Sequence, residues 1–343
     1  MHVQRWCAGM THRGFQIKLI SVGGRQLDSV ETVVLLRRGK LSYLTNIARA
    51  KEETIAFNPN LVHAHYIAGN GLLARKTGVT PFLGSVWGAD VIDLPTNIIF
   101  RHMVRKILRA ATYLTATSNF LKQVTIKLEP TVANRISVIP FGVKIPDDFY
   151  VLPSFKPVKI CFVKSLKPKY GADILLQALK QVTAKIPDIQ LTIAGAGPME
   201  NELKALTKKL QLETNVSFVG YVENEQVYEL IHNHHMMVMP SIMDSESFGV
   251  AAIESGACGR PVIASRVGGV PEVIIDGKTG ILVTPLDIGE LAKAIVKLAD
   301  NITLCNDMGK CGYQHVKENY PWEKSLDQMS ELYGRLIYES QKS

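Results

Sequence analysis

Twice along this chain, apolar runs of four or five residues alternate with longer segments of helical periodicity. The first series places strand-like runs at 17–21, 32–36, 61–65, 82–86, 113–116 and 137–140, and the second at 159–163, 190–194, 216–219, 236–239, 262–265 and 280–283. Strands and helices alternating at this spacing make βαβ units, and βαβ units make a parallel sheet. A chain of 343 residues is long for one core and suits two α/β domains. The series are separated by 145–157, where Pro146, Asp147, Asp148, Pro153 and Pro157 mark an interdomain linker. The predicted division is 1–148, 149–321 and a closing segment 322–343 that carries a helix over 322–339.

Composition narrows the partners. Hydrophobic residues make up 46% and charged residues 20%, as in soluble globular proteins rather than disordered or fibrous ones. The sequence has no run near the roughly 18 apolar residues that a membrane span needs, and no signal peptide opens it. The five cysteines, Cys7, Cys161, Cys258, Cys305 and Cys311, are scattered and form no C-x-x-C pair, which favours reduced thiols and a cytoplasmic protein. Residues 1–150 hold 19 Lys and Arg against 9 Asp and Glu, so this half carries the net charge of +8 and more. Its partner is expected to be anionic: an acceptor or a membrane surface rather than nucleic acid, for which aromatic platforms and zinc-finger spacing are missing. Within it, the 98–110 segment spaces Arg101, Arg105 and Arg109 along one helix face, either for peripheral contact with anionic lipid or as an ordinary solvated face.

The most informative stretch is 241–269, SIMDSESFGVAAIESGACGRPVIASRVGG. A strand ends at Pro240, a polar loop follows, and a helix is predicted to begin near Ser247. The amides of Ser247, Phe248 and Gly249, running into Val250, then form a first helical turn. Unsatisfied donors and the helix dipole make such a turn a phosphate site. Gly249 is expected to let the backbone approach a ligand. Glu246 and Glu254 bracket the turn and offer acceptors only, which suits sugar hydroxyls and a ribose diol. Phosphate on the amides and hydroxyls on the acids describe a nucleotide sugar.

Glu246, seven intervening residues, Glu254 and then ACG.PV.AS..GG.PE, with Gly-Gly-Val-Pro-Glu at 268–272 and Asp-Gly-Lys-Thr-Gly at 276–280, resemble the donor-site signature of glycosyltransferase family four, the retaining group 1 enzymes of GT-B fold. The resemblance runs from about Val158 to Tyr333, and more weakly back to His2. It implies two Rossmann-like domains facing across a cleft, the last helix crossing back to the first domain, and retaining transfer from a nucleoside diphosphate sugar to a glycan or lipid-linked acceptor in surface polysaccharide or glycolipid synthesis. By it Glu246 meets the donor sugar and Glu254 the ribose, while Gly220-Tyr221-Val222 brings Tyr221 and Val222 to the base. The family supplies an Arg and a Lys from the 163–171 loop. Here Ser165 and Tyr170 stand at those places, leaving Lys164 and Lys169 as the expected cations, with Lys167 a third. Trp87-Gly88-Ala89-Asp90 resembles the family's His-Gly-Ser-Asp segment, which puts Trp87 on the acceptor side, where His65, from its strand position, is expected to line the cleft. Asp90 is either an acceptor-orienting base or a helix N-cap, so Asp90, Glu246 and Lys164 are the catalytic candidates. Family members place a strand and a glycine-rich loop before the first helix, whereas this sequence opens inside that helix.

Other motifs are less consequential. Gly195 and Gly197 in Ala-Gly-Ala-Gly-Pro lack the third glycine of a dinucleotide fingerprint and read as a tight turn beside the nucleotide. Lys278-Thr279 mimics a P-loop ending but precedes a strand. His63 shares a strand face with His65 and reads as structural. His232, His234 and His235 form a weak metal candidate, and with no Asp-x-Asp signature the transfer is expected to need neither metal nor cofactor. The rival readings are an epimerase of the same architecture and a nucleotide-sugar-binding protein without turnover.

Overall fold

The computed structural model describes residues 2–27, 29–37, 39–146 and 156–342. The centre of the predicted linker, 147–155, and with it the 148/149 boundary, lies outside the described residues. The chain forms two units, one of Met1–Pro140 with Glu323–Ser343 and one of Phe141–Trp322.

In the first unit the order is α1 (His2–His12), β1 (Lys18–Val22), β2 (Glu31–Leu35), α2 (Ser42–Thr45), α3 (Ile47–Phe57), β3 (Val62–His65), α4 (Gly69–Thr77), β4 (Phe82–Val86), α5 (Ile98–Ala110), β5 (Tyr113–Ala116), α6 (Asn119–Leu128) and β6 (Ile136–Val138). Helix α1 stops at a Schellman turn: the Phe15 and Gly14 amides donate to the Met10 and Thr11 carbonyls. Every pairing is parallel, but among the described residues the strands form two sheets, β1-β2 and β3-β4-β5-β6, rather than one. The core of the larger sheet is built on Phe82, Val86, Val104, Ile107, Leu108, Leu114 and Leu121.

The second unit runs β7 (Lys159–Val163), α7 (Ala172–Thr183), β8 (Gln190–Ala194), α8 (Glu200–Lys209), β9 (Val216–Gly220), α9 (Asn224–His232), β10 (Met236–Met239), α10 (Val250–Ala257), β11 (Val262–Ser265), α11 (Val270–Val273), β12 (Gly280–Val283), α12 (Ile288–Ala299) and α13 (Ile302–Asn319). Strands β10 and β11, MMVM and VIAS, are buried at every position, as parallel strands between two helical layers must be. The six strands are all parallel in the order β12-β11-β10-β7-β8-β9. That is the doubly wound Rossmann order, whose direction reverses between β7 and β10, and ligands of such sheets bind beyond the strand ends at the reversal. The loops that leave β7 and β10 are therefore the ones topology brings to a binding position.

The last helix, α14 (Trp322–Lys342), belongs from Glu323 onward to the first unit. Arg13 holds it through Glu323 and Asp327, at 2.8 and 2.6 Å. Tyr333 hydroxyl lies 2.6 Å from Nδ1 of half-buried His63, whose Nε2 lies 2.7 Å from Ser85 Oγ.

Candidate donor site

Lys164 opens the loop after β7, and Glu246 lies in the loop after β10. Their side chains meet at the sheet's reversal point, with Lys164 Nζ 2.8 Å from Glu246 Oε2. Glu246 is almost wholly buried and the Lys164 side chain is 20% exposed, so this pair is screened less than a surface pair. Burial opposes the charge on the Lys164 ammonium, yet Glu246, with Tyr170 and Glu254 adding to it, outweighs that and raises its pKa. Glu254, half-buried on α10, is thus part of the same electrostatic group. Lys169 Nζ donates to Ser245 Oγ at 3.2 Å, one residue before Glu246. The Tyr170 ring lies beside both lysines, its centroid 5.1 Å from Lys164 Nζ and 5.3 Å from Lys169 Nζ.

The loop bearing Glu246 is braced by the Gly-Gly-Val-Pro-Glu turn. Gly268 amide donates to Asp244 Oδ1 at 2.9 Å and Gly269 amide to the Glu246 carbonyl at 3.1 Å. A Cβ on Gly268 would overlap the Glu246 and Asp244 carbonyl oxygens. The loop bearing Lys164 is laced to the turn after β8: Lys164 amide donates to Ala194 O and Leu166 amide to Ala196 O, both at 3.0 Å. Added Cβ atoms on Gly195 and Gly197 would overlap the Lys164 and Leu166 carbonyls. These two glycines therefore let the loops pack closely.

Several expected roles change. Helix α10 starts at Val250, not near Ser247, because Gly249 caps it with φ +89. That left-handed backbone requires glycine there even though a Cβ would make only ordinary contacts, with Val273, Val270 and Ala252 side chains at 3.4, 3.5 and 3.8 Å. The first-turn amides belong to Val250 and Ala251, and the first intrahelical bond runs from Ala252 to Gly249. Ser247 and Phe248 precede the helix, both buried, and the Phe248 ring packs edge-on against Phe141 and Tyr320. The Phe248 side chain is thus a core residue. Tyr221 is exposed and Val222 half-buried just beyond β9, where Gly195 amide donates to Gly220 O at 2.7 Å.

Both readings of Asp90 are corrected. It is completely buried, and its carboxylate accepts from the amides of Ile67 at 2.8 Å, Trp87 at 3.1 Å and Gly88 at 2.9 Å. Burial pushes its pKa up to about 6 against the pull of those amides. Such a group ties the β4 loop to the β3 loop. It offers no open face to an acceptor hydroxyl, and no helix starts behind it. Trp87 and His65 do come together, with ring centroids 5.4 Å apart, and His65 also stacks on Trp6 at 6.3 Å and lies tilted against His63 at 3.9 Å. This aromatic group is the acceptor-side candidate of the first unit, and Trp6 was not foreseen in it.

His234 and His235 serve the core. His234 Nδ1 and Nε2 lie 2.6 Å from Leu230 O and 2.7 Å from Thr192 Oγ1, and His235 Nδ1 accepts from the Lys159 amide at 2.8 Å. With His234 and His235 so engaged, the metal reading loses two of its three ligands. Two of the three arginines on α5 are likewise occupied: Arg105 and Arg109 each reach buried Glu129 at 2.9 Å. The exposed tip of that helix is apolar instead, with Ile98, Ile99 and Phe100 at 74, 76 and 45% exposure. No helix among the described residues is long and apolar enough to cross a membrane.

Comparison with known proteins follows the same division. The family model described as "Glycosyl transferases group 1" matches residues 147–315, and that described as "Glycosyl transferase 4-like" matches residues 1–118. Among curated proteins, the GDP-mannose-dependent alpha-(1-6)-phosphatidylinositol monomannoside mannosyltransferase of Mycolicibacterium smegmatis is 29% identical over 286 residues, 76% of this chain and 72% of the relative. Sucrose-phosphate synthase from Thermosynechococcus elongatus superposes with a TM-score of 0.86 at 22% identity, covering 98% of this chain and 93% of that one. Anabaena HepE in complex with UDP-glucose superposes with a TM-score of 0.81 at 18% identity, covering 97% of this chain and 95% of that one. These likenesses agree with the expected α/β GT-B fold.

Proposed function

We propose, for a chain that belongs to the group 1 glycosyl transferases, that it moves a sugar from a nucleoside diphosphate sugar to an acceptor hydroxyl with retention of configuration. The observation that carries the reading is the meeting of Lys164, Lys169 and Glu246 at the reversal point of the second unit's sheet. The lysines meet the diphosphate, whose negative charge grows as the bond from the anomeric carbon to the phosphate oxygen breaks. Glu246 and Glu254 accept hydroxyl hydrogen bonds, the former from the sugar and the latter from the ribose. The acceptor oxygen attacks from the face the phosphate leaves, and its proton passes to the departing phosphate oxygen, so no separate protein base is needed. That the HepE structure holds UDP-glucose supports a donor of this class. With lysines neutralising the diphosphate, transfer proceeds at full rate in the presence of a chelator.

The test is a donor panel of UDP- and GDP-linked hexoses, followed by nucleotide release and by NMR of the product's anomeric configuration. One donor consumed only with acceptor present, and a retained anomer, is the expected result. An inverted product, epimerised donor without acceptor, or no donor bound at all would each refute the reading.

The acceptor we propose is lipid-linked or glycan, met at an anionic membrane face, in surface glycolipid or polysaccharide synthesis. The M. smegmatis relative is named for a phosphatidylinositol mannoside acceptor, and Ile98, Ile99 and Phe100 stand exposed beside Arg101 at the start of α5. Cosedimentation with phosphatidylglycerol vesicles, but not phosphatidylcholine vesicles, is expected to fall at least about fivefold when all three are changed to Ser. Equal binding by the triple variant would remove this surface from the proposal.

A further inference from the structure

We infer that Tyr170 is a positioning residue for anion binding: its ring face holds the ammonium groups of Lys164 and Lys169 in place for a nucleoside diphosphate. The inference rests on the donor reading above and names a residue at that site which the family pattern did not offer. Both ammonium nitrogens, at 5.1 and 5.3 Å from the ring centroid, lie within the roughly 6 Å over which a cation is drawn to an aromatic face.

The ring is the fixed member of the trio. Tyr170 is half-buried and packs against the core of the second unit. Its neighbours are pinned, since Tyr170 amide donates to the Lys167 carbonyl at 3.0 Å and the Lys169 carbonyl accepts from the Ile242 amide at 2.9 Å. A lysine alone is a point charge on a flexible four-carbon stem, and ordering it costs rotamer entropy. Lys164 is ordered by Glu246 as well as by the ring, and Lys169 by the Ser245 hydroxyl as well as by the ring. Lys164 and Lys169 set two positive charges beside the carboxylates of Glu246 and Glu254, at the place where the sheet receives ligands. Two cations that would otherwise repel are thus held by one aromatic plane, already set before the phosphates arrive.

The experiment compares Tyr170→Phe, Tyr170→Leu and Tyr170→Met with the unsubstituted chain by calorimetry against UDP, GDP, uridine and guanosine, with melting curves for each. Phe keeps the ring face and is expected to bind within about twofold of the parent, whereas Leu and Met weaken the preferred diphosphate about five- to thirtyfold. Affinity for the matching nucleoside stays constant, and in the transfer assay the donor KM rises while kcat at saturation moves less than about threefold. If Leu fails to fold, Met, of similar bulk, carries the same comparison. Unchanged diphosphate affinity in Leu and Met overturns the inference, as does an equal loss in Phe, or an equal loss for the nucleoside. A parent chain that binds neither UDP nor GDP overturns the donor reading itself, and this assignment with it, a result distinct from the other three.

Discussion

In the Glu246→Gln variant, sugar transfer falls about a hundred- to a thousandfold while affinity for the free nucleoside diphosphate is unchanged or tighter. The asymmetry follows from what Glu246 touches. Its Oε2 lies 2.8 Å from Lys164 Nζ, so in the unliganded chain the carboxylate and the incoming phosphate compete for one ammonium. Gln keeps the shape and a hydroxyl acceptor but loses the charge. Lys164 is then released toward the phosphate, which offsets the loss of the carboxylate that had raised its pKa. The sugar gains nothing in exchange: a neutral amide accepts hydroxyl hydrogen bonds more weakly, and charge developing at the anomeric carbon loses a nearby anion. Calorimetry with UDP or GDP and a transfer assay on the same preparation measure the two quantities separately. If diphosphate affinity and transfer fall together by the same factor, Glu246 serves the phosphates or the fold, and the division of labour between acids and lysines is wrong.

Much of this site is readable in the sequence where chemistry and position coincide. Met236–Met239 and Val262–Ala264 are unbroken apolar runs, as strands buried on both faces are, so the second unit's sheet follows from residue type. Glu246, Glu254, Lys164 and Lys169 carry charge next to predicted strand or helix ends, which is where a doubly wound sheet binds ligands. What escaped is set by contacts between distant segments. The start of α10 at Val250 depends on the left-handed turn at Gly249, which cannot be told from an ordinary glycine in a helix start. Asp90 in Trp-Gly-Ala-Asp has the look of a site acid, but its fate is decided by the Ile67 amide, 23 residues away. The role of Gly268 and Gly269 as a brace needs knowledge that the 244–246 loop folds against them. Tyr170 was visible only as an exception at a place where a lysine was expected. Which exception matters depends on where Lys164 and Lys169 place their ends, and spacing along the chain does not reveal that.

The Gly195→Ala variant is expected to lose about 3 kcal/mol or more of stability in the second unit. One methyl group does this because two costs act at once. Gly195 has φ +151, a backbone region that residues with a Cβ rarely enter, and the added Cβ would overlap the Lys164 carbonyl oxygen. That oxygen belongs to backbone and has nowhere to retreat. Lys164 amide is bonded to Ala194 O at 3.0 Å, and on the other side Gly195 amide is bonded to Gly220 O at 2.7 Å. Relief comes only by pushing the loop after β7 outward, which carries Lys164 away from Glu246 and from the Tyr170 ring. The melting point should therefore drop by about 6–12 °C, and transfer should fall further than the melting curve explains at the assay temperature. Gly277→Ala is the control. It shares the left-handed backbone, at φ +72, but its Cβ would meet nothing within 4 Å, so the cost is confined to about 1–2 kcal/mol and transfer persists. Equal melting points for the two variants, or a Gly195→Ala enzyme with full turnover, would mean that the loop after β7 is free to shift and that the site does not depend on the packing described for it.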